Sequence, residues 1–385
     1  MKKFKKKILY VHHAGNFGGA PKSMSYIIKN LDDTKYDAKL INITVGPINE
    51  FFRKELPVPL EIVGGMRPFH GSTVISKSFK LLLKNYLFFL PSLLKAYKIL
   101  KKEKPDLIHL NSTCLFVFAI AAKILNIPVI VHVREPLRNG LWGAPLRFFN
   151  KKNVTGIIAI SNFDLASLRI KSQKLVFQVI YNFVEKFSRI KNNDDSFRRS
   201  LGIAKNDVVF LYLARFAKGN GWEELINMAG SLVAKNEHVH FILAGADEKF
   251  NKSKYETKNI HIIPFQQDVN TLLNSADIYV CPFTEPHFAR GVIEASAFSL
   301  PIIGADIGGV NELVLHDKTG YLYEDGKGFI EYAEHLVSRS DVRKEMGEAG
   351  YLFAQDKFEM SKNLKTTYAL YEKVLAITDS NLSKS

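Results

Sequence analysis

Two doubly wound α/β domains, each a parallel sheet covered by helices on both faces, are the fold class this sequence predicts. Three observations carry that reading: short runs rich in Ile, Val and Leu alternate with helical patterns, the alternation occurs twice, and a polar stretch separates the two series. Runs apolar on both faces and joined by helices are what parallel strands covered on two sides require. At 385 residues the chain exceeds one ordinary core, so two domains suit its length.

In the first series the candidate strands are KILYVHH (7–13), AKLINIT (38–44), DLIHL (106–110), PVIVHV (128–133) and GIIAIS (156–161). The second series runs VVFLYLA (208–214), VHFILAG (239–245), IHIIP (260–264), DIYVCPF (277–283) and PIIGAD (301–306). Helical patterns such as PKSMSYIIKNL, FVFAIAAKILN, GWEELINMAGSLVAKN and GVIEASAFS separate them. The polar stretch KFSRIKNNDDSFRRSLGIAKND puts the junction near 185–193. The expected domains are residues 1–188 and 189–357, with a helix over about 358–385 packing back onto the first. Open parallel sheets bind ligands at the carboxyl ends of their strands, so two facing sheets offer a cleft.

The segment FKLLLKNYLFFLPSLLKAYKILKK (79–102) is the strongest membrane candidate. A spanning helix needs about 20 mostly apolar residues, and Lys84, Pro91 and Lys95 interrupt this one. Two readings stay open: a helix lying in the interfacial plane of an anionic bilayer, or a core-facing helix with a lysine face.

Composition excludes disordered and fibrous classes, with 46% hydrophobic and 24% charged residues. Cys114 and Cys281 both lie in apolar runs, which reads as buried reduced thiols. The start MKKFKKKILYVHH is charged like a signal peptide, but its apolar run ends after Val11 and no small-residue cleavage site follows. A cytoplasmic chain opening on a β-strand is the expectation. The net charge of +15 is uneven: residues 1–190 hold 31 Lys and Arg against 11 Asp and Glu, the remainder 22 against 27. A basic first half favours an anionic partner, with a membrane surface ahead of nucleic acid because no RNA motif or aromatic-basic repeat appears. A solvated lysine-rich surface explains scattered charges equally well.

The chemistry concentrates in CPFTEPHFARGVIEASAFSLPIIGADIGGVNELVLHDKTGYL. A strand ends at about Phe283, a polar loop follows, and a helix begins near Gly291 whose first amides suit a phosphate. Glu294, in or just after that first turn, is placed to accept hydrogen bonds from ribose hydroxyls, although alone it reads as an acid complementing the helix dipole. Gly308 and Gly309 bring backbone close to a ligand, Glu312 opens another helix, and Gly320 closes a turn.

That order resembles the donor-binding half of glycosyltransferase family 4, whose GT-B fold sets two Rossmann-like domains face to face and whose members are retaining and need no metal. LYLARFAKGNGWEELI resembles the family's strand followed by Arg and a Lys-Gly helix start, which implies that Arg215 and Lys218 hold the donor diphosphate. Lys218 follows Arg215 more closely than the family's lysine does, and Asn220 holds the usual lysine position. Glu285 and Glu294 have eight residues between them, one more than the family's paired glutamates, with His287 inserted. The resemblance implies that Glu285 contacts the sugar and that the loop His287, Phe288, Ala289, Arg290, Gly291 and Val292 holds sugar and phosphate through its amides. HHAGNFGGAPKSM resembles the family's glycine loop, placing Gly18 and Gly19 at the donor. Ser161 and Asn182 fall at its usual polar positions, and Phe183 replaces the glycine that commonly follows. A histidine near the donor sugar corresponds to His132 or Arg134, with His132 alternating with valines as a core residue would. Phe265 and Gln266 follow the IHIIP strand and are candidates for the base.

The function implied is retaining transfer of a sugar from a nucleoside diphosphate sugar to a glycan or lipid-linked acceptor, in cell-surface polysaccharide or glycoconjugate synthesis. Glu285, Arg134 and His132 are the candidate catalytic residues, and the nucleotide sugar is a co-substrate with no metal expected. Alternatives are a GT-B nucleotide-sugar epimerase and a non-catalytic basic module binding membrane or nucleic acid. The localisation expected is cytoplasmic and peripheral at the membrane's inner face.

Overall fold

The structure, a computed structural model, describes residues 5–73, 75, 77–171, 175–188, 195–266 and 268–382. It divides into two compact units, Met1–Asn182 with Ser361–Ser385, and Phe183–Met360. The division falls before the junction that the polar stretch marks, of which 189–194 lie outside the described residues. Backbone pairing explains the shift. Val184 bridges Glu359 and donates to the Phe358 carbonyl at 3.0 Å, and the Ser188 amide donates to the Ala297 carbonyl at 2.9 Å.

The first unit contains β1 (Lys6–His12), β2 (Tyr36–Asn42), β3 (Leu60–Ile62), β4 (Leu107–Leu110), β5 (Val129–Val133), β6 (Gly156–Ala159) and β7 (Val176–Val179). They form one parallel sheet in the order β3-β2-β1-β4-β5-β6-β7. The edge strands β3 and β7 escape sequence patterning because they are short and only partly buried. One face of the sheet buries Leu9, Val11, Ile108, Leu110, Val129 and Val131 against the helix Phe116–Ile124. Tyr10 and His109 belong to the alternate positions, and Tyr371, from the helix Met360–Leu382, stands edge-on to His109.

The second unit contains β8 (Val208–Leu213), β9 (Val239–Ala246), β10 (Ile260–Pro264), β11 (Ile278–Cys281), β12 (Ile302–Ala305) and β13 (Gly320–Tyr323). The sheet order is β10-β9-β8-β11-β12-β13, again all parallel. Its core stacks Phe210 on Phe241 at 4.6 Å and buries Tyr212, Leu225 and Phe329. In both sheets the strand order reverses once, between β1 and β4 and between β8 and β11. Loops leaving the two strands at such a reversal diverge to opposite faces and open a crevice at their carboxyl ends.

Two sequence expectations change. Glu312 does not open a helix: residues 308–313 are consecutive turns that send Val310 and Leu313 into the core. The segment 79–102 is two helices, Phe79–Leu87 and Phe89–Glu103, meeting at Phe88. Asn85 fixes the first by accepting from the His70 amide (3.2 Å) and donating to the His70 carbonyl (2.7 Å). Ala96 and Leu100 of the second are fully buried, so one side faces the core, while Phe79, Leu83, Leu87, Leu90 and Leu94 are 51–80% exposed. Among the described residues no helix is long and apolar enough to cross a membrane.

Tyr371 anchors the C-terminal helix to the first sheet, with its hydroxyl 2.5 Å from His109 Nδ1. Tyr371→Phe removes that partner and is expected to cost about 1–2 kcal/mol, and Tyr371→Ala about 3–5 kcal/mol through the added cavity. Urea unfolding curves of the two variants measure the difference, and equal midpoints for both and wild type would refute the anchoring role.

Candidate active site

The second unit's crevice lies where β8 and β11 end side by side. Arg215 follows β8, is exposed, and its carbonyl accepts from Asn220 Nδ2 at 2.8 Å and from Tyr212 Oη at 3.2 Å. Asn220 is therefore turned back to brace the loop. Lys218 opens the short 3-10 turn Lys218–Asn220 and is exposed, leaving it as the loop's second presented cation. Among the described residues neither Arg215 nor Lys218 makes an ion pair. The turn is knitted to the β11 loop: the Thr284 and Glu285 amides both donate to the Gly219 carbonyl at 3.1 Å, and Thr284 Oγ1 donates to the Lys218 carbonyl at 3.1 Å. Arg215, Lys218 and Glu285 thus belong to one braced pair of loops, although they lie far apart in sequence.

Beyond Glu285 the chain is tightly packed. His287 stacks on Phe283 with centroids 4.2 Å apart, and its Nδ1 donates to the Glu285 carbonyl at 2.7 Å. Burial lowers the His287 pKa, which keeps the ring neutral. Phe288, Ala289 and Val292 are core side chains, so only their backbone can meet a ligand. The helix spans Arg290–Ser296 with Ala289 as an N-cap that offers no side-chain acceptor. Gly291 is required by close approach: a Cβ there would stand 2.0 Å from the hydroxyl of Tyr279, a fully buried residue of β11. Gly309 has φ 91° and its missing Cβ would meet the His287 carbonyl at 2.6 Å, so its close approach is to this loop. Arg290 Nε donates to Glu294 Oε1 at 2.8 Å, and Arg290 Nη2 donates to the Phe183 carbonyl at 3.2 Å and lies 3.8 Å from Glu185. Glu294 is therefore oriented from one side by Arg290. Phe265 is 52% exposed at the carboxyl end of the edge strand β10, and Gln266 Nε2 donates to the Pro264 carbonyl.

In the first unit the reversal joins the ends of β1 and β4. Gly18 is the N-cap of the helix Gly19–Lys29, whose first turn has no acid and no side-chain cap. A Cβ at Gly18 would meet nothing within 4 Å, so packing alone does not demand glycine there. Beneath lies a buried polar ladder in which alternate residues of three strands become more polar toward their carboxyl ends: Tyr10 and His12, His109 and Asn111, His132 and Arg134. Arg134 Nε donates to Asn111 Oδ1 (2.7 Å), Nη1 to Asn182 Oδ1 (3.3 Å) and Nη2 to His132 Nδ1 (3.2 Å). Ser23 Oγ adds a 3.0 Å bond to Asn182 Oδ1, and Asn111 Nδ2 lies 3.0 Å from His12 Nδ1. His132 is thus a buried brace for Arg134, its Nδ1 turned into the network. Ser161 caps the helix Asn162–Ser167 by accepting from the Asp164 amide at 2.9 Å, which explains its position without a ligand. For Asn111 the sequence signal is the period-two polar alternation in YVH, HLN and HVR, which the motif pattern does not include.

Two family models divide the chain between them. The one described as Glycosyltransferase Family 4 matches residues 17–186, and the one described as Glycosyl transferases group 1 matches residues 193–353. The chain belongs to the family 4, group 1 glycosyltransferases. This glycosyltransferase is 27% identical over 260 residues to the UDP-Gal:alpha-D-GlcNAc-diphosphoundecaprenol alpha-1,3-galactosyltransferase of Escherichia coli, covering 60% of this chain and 66%, just under two thirds, of the relative. It is 22% identical over 303 residues to the N-acetyl-alpha-D-glucosaminyl L-malate synthase of Bacillus anthracis, covering 73% of this chain and 78% of that one. The structure of Anabaena HepE in complex with UDP-glucose superposes with a TM-score of 0.78 at 19% identity, over 95% of this chain and 99% of that one. The fold of this glycosyltransferase is GT-B. Among its described residues no three His, Cys, Asp or Glu side chains cluster as metal ligands do.

The ladder makes the first unit acid-sensitive. Burial first, and then the Arg134 charge, push His109 down to about 3; burial, then His70, push His13 to about 3. Burial also holds His12 and His132 well below the ordinary value. A folded pKa below the unfolded value near 6.5 means that the folded state binds fewer protons, so this contribution is intact above about 6.5 and is lost on descending toward about 3. Tm is expected to fall steadily between about pH 6.5 and 4, as thermal unfolding in matched buffers would show. A level Tm across that window would contradict the neutral ladder.

Proposed function

We propose that this glycosyltransferase moves a sugar, with retention at the anomeric carbon, from a nucleoside diphosphate sugar to a glycan or lipid-linked acceptor in cell-surface polysaccharide or glycoconjugate synthesis. The observation that carries the reading is the pair of exposed cations Arg215 and Lys218, without ion-pair partners among the described residues, on a loop braced against Glu285 at the β8/β11 reversal. Negative charge builds on the diphosphate as it leaves, so fixed cations stabilise the transition state more than the ground state. In this reading Arg215 and Lys218 take the diphosphate, and the backbone of His287 to Val292 lines the sugar and phosphate. Glu294, oriented by Arg290, accepts from the ribose. Glu285 meets the sugar hydroxyls, and Phe265 offers an exposed ring to the base. Gly18, Gly19 and Arg134 are the first unit's contribution to donor binding and catalysis, with His132 acting through Arg134. No metal is required because the protein's own cations carry the charge. The UDP-sugar named for the Escherichia coli relative supports a uridine donor.

Arg215→Ala is expected to lose about 2 kcal/mol of transition-state stabilisation, roughly thirtyfold in kcat/KM for the donor. Glu294→Gln is expected to raise donor KM at unchanged Tm. Steady-state kinetics across UDP-sugars decide both, and wild-type parameters in Arg215→Ala would remove the basis of the assignment.

The same reading includes peripheral attachment to an anionic membrane. Phe79, Leu83 and Leu87 recur at helical spacing and Leu90 and Leu94 continue on the next helix, all more than half exposed, with exposed Lys80, Lys84 and Lys98 nearby in sequence. Apolar side chains with flanking lysines are the composition that settles into the headgroup region of an anionic bilayer. Replacing Leu83, Leu87 and Leu90 together by Ser is expected to abolish sedimentation with phosphatidylglycerol vesicles while Tm stays unchanged. Undiminished sedimentation would sink the attachment face.

A further inference from the structure

The loop that leaves Arg134 does not end at the ladder. It runs through Arg138 and Asn139 to the short 3-10 turn Gly140–Trp142 and the helix Ala144–Asn153. Between this loop and the helix Asn162–Ser167 lies a cavity of about 540 Å³, in the size range of small-molecule sites. Lys77, Arg138, Asn139, Arg147, Phe163 and Arg169 line it.

Its three arginines are held by neutral groups. Arg138 Nε donates to the Ser72 carbonyl at 2.9 Å, and its Nη2 to the carbonyls of Thr73 and of Ile75. Arg147 Nη1 donates to the carbonyls of Leu137 (3.2 Å) and Ser167 (3.3 Å), and its Nη2 to that of Arg138 (2.6 Å). Arg169 Nη2 donates to Asn139 Oδ1 at 2.7 Å. Among the described residues no carboxylate forms an ion pair with any of the three. A guanidinium carries about five N–H donors, so each retains some for a ligand. Arg147 is only 7% exposed, and its pKa is lowered by burial and then by the charge of Arg169. Like charges gathered in partial burial cost free energy until an anion joins them.

Arg169 adds an independent sign. Its φ of 53° lies in the left-handed region just past the helix Asn162–Ser167, where glycine is the unstrained residue. Arginine there forgoes the easier backbone in exchange for a guanidinium beside Asn139. Carbonyl-fixed guanidiniums present planar donor pairs, which match phosphate oxygens better than a point charge does.

We propose that this cavity binds the diphosphate group of the acceptor, an inference that rests on the transferase reading above. The exposed apolar side of the helix Phe79–Leu87 adjoins it through the same loop: Tyr86 Oη donates to the Leu141 carbonyl at 3.3 Å, and Leu141 is itself 69% exposed. A lipid-linked diphosphate would thereby find its charged group and its apolar chain received by neighbouring parts of one unit.

The test titrates inorganic pyrophosphate calorimetrically into the full chain already saturated with UDP, so that the donor site is filled first. Wild type is expected to bind pyrophosphate under these conditions, and inorganic phosphate more weakly. Arg169→Gly is expected to lose at least about tenfold in affinity, as for one charged contact, while its Tm holds or rises because glycine suits that backbone. Arg138→Gln provides a second reading of the same site. No pyrophosphate binding to the UDP-saturated wild type, wild-type affinity in both variants, or a preference for phosphate over pyrophosphate would overturn the proposal. Failure of UDP to bind at all would count against the donor reading alone. Pyrophosphate is then titrated into the free chain, where loss in Arg169→Gly but not Arg215→Ala supports the cavity and the converse overturns it.

Discussion

Everything functional in this molecule hangs on one constraint of parallel sheets: a sheet built outward from a central pair of strands reverses its order once. At that place no crossover helix covers the gap, because the loops from the two strands leave toward opposite faces. β1 and β4 meet this way in the first unit, β8 and β11 in the second. The consequence is local and strict. Gly291 exists to let a helix start sit on the Tyr279 hydroxyl, and the Gly219 carbonyl exists as an acceptor for two amides of the β11 loop. These contacts hold Arg215, Lys218 and Glu285 at one place without spending the side chains themselves.

The two units handle charge in different ways. In the second, the cations are exposed and the acid Glu294 is tied to Arg290, so water screens what a ligand does not. In the first, Arg134 is 7% exposed and held by Asn111, Asn182 and His132. A charge in such surroundings interacts strongly with whatever is brought beside it, and the neighbouring histidines stay neutral first because they are buried and then because of that charge. The rigidity comes with acid sensitivity. A group of buried imidazoles keeps its structure only while it stays unprotonated.

Legibility followed chain distance. Arg215 stood out because it sits just past a strand, and the loop lengths flagged both Lys218 and Glu285 as departures. Which of Lys218 and Asn220 presents itself was decided by the 2.8 Å bond from Asn220 to the Arg215 carbonyl, a contact that no spacing rule reveals. The alternation of His132 with valines reads as a core position, and the structure buries it with its Nδ1 accepting from Arg134. Ser161 falls at a polar position of the family pattern, and its side chain caps the helix Asn162–Ser167. Asn111 went unremarked because one strand's alternation means little until the register sets His109 beside both Tyr10 and Ile130.

The sequence by itself determined the two α/β series, the parallel sheets, the basic first half and the family resemblance of the donor loops. These follow from periodicity, composition and local motif, all of which are short-range properties of the chain. Only the tertiary structure decided that Glu312 lies in turns, that Val184 and Ser188 belong with the second unit, and that Arg138, Arg147 and Arg169 share one cavity. The physical reason is that packing joins residues by distance in space. Thr319 and Ile302, or Tyr371 and His109, meet because helices and strands must bury their apolar faces together, and nothing in their neighbours along the chain announces the partner.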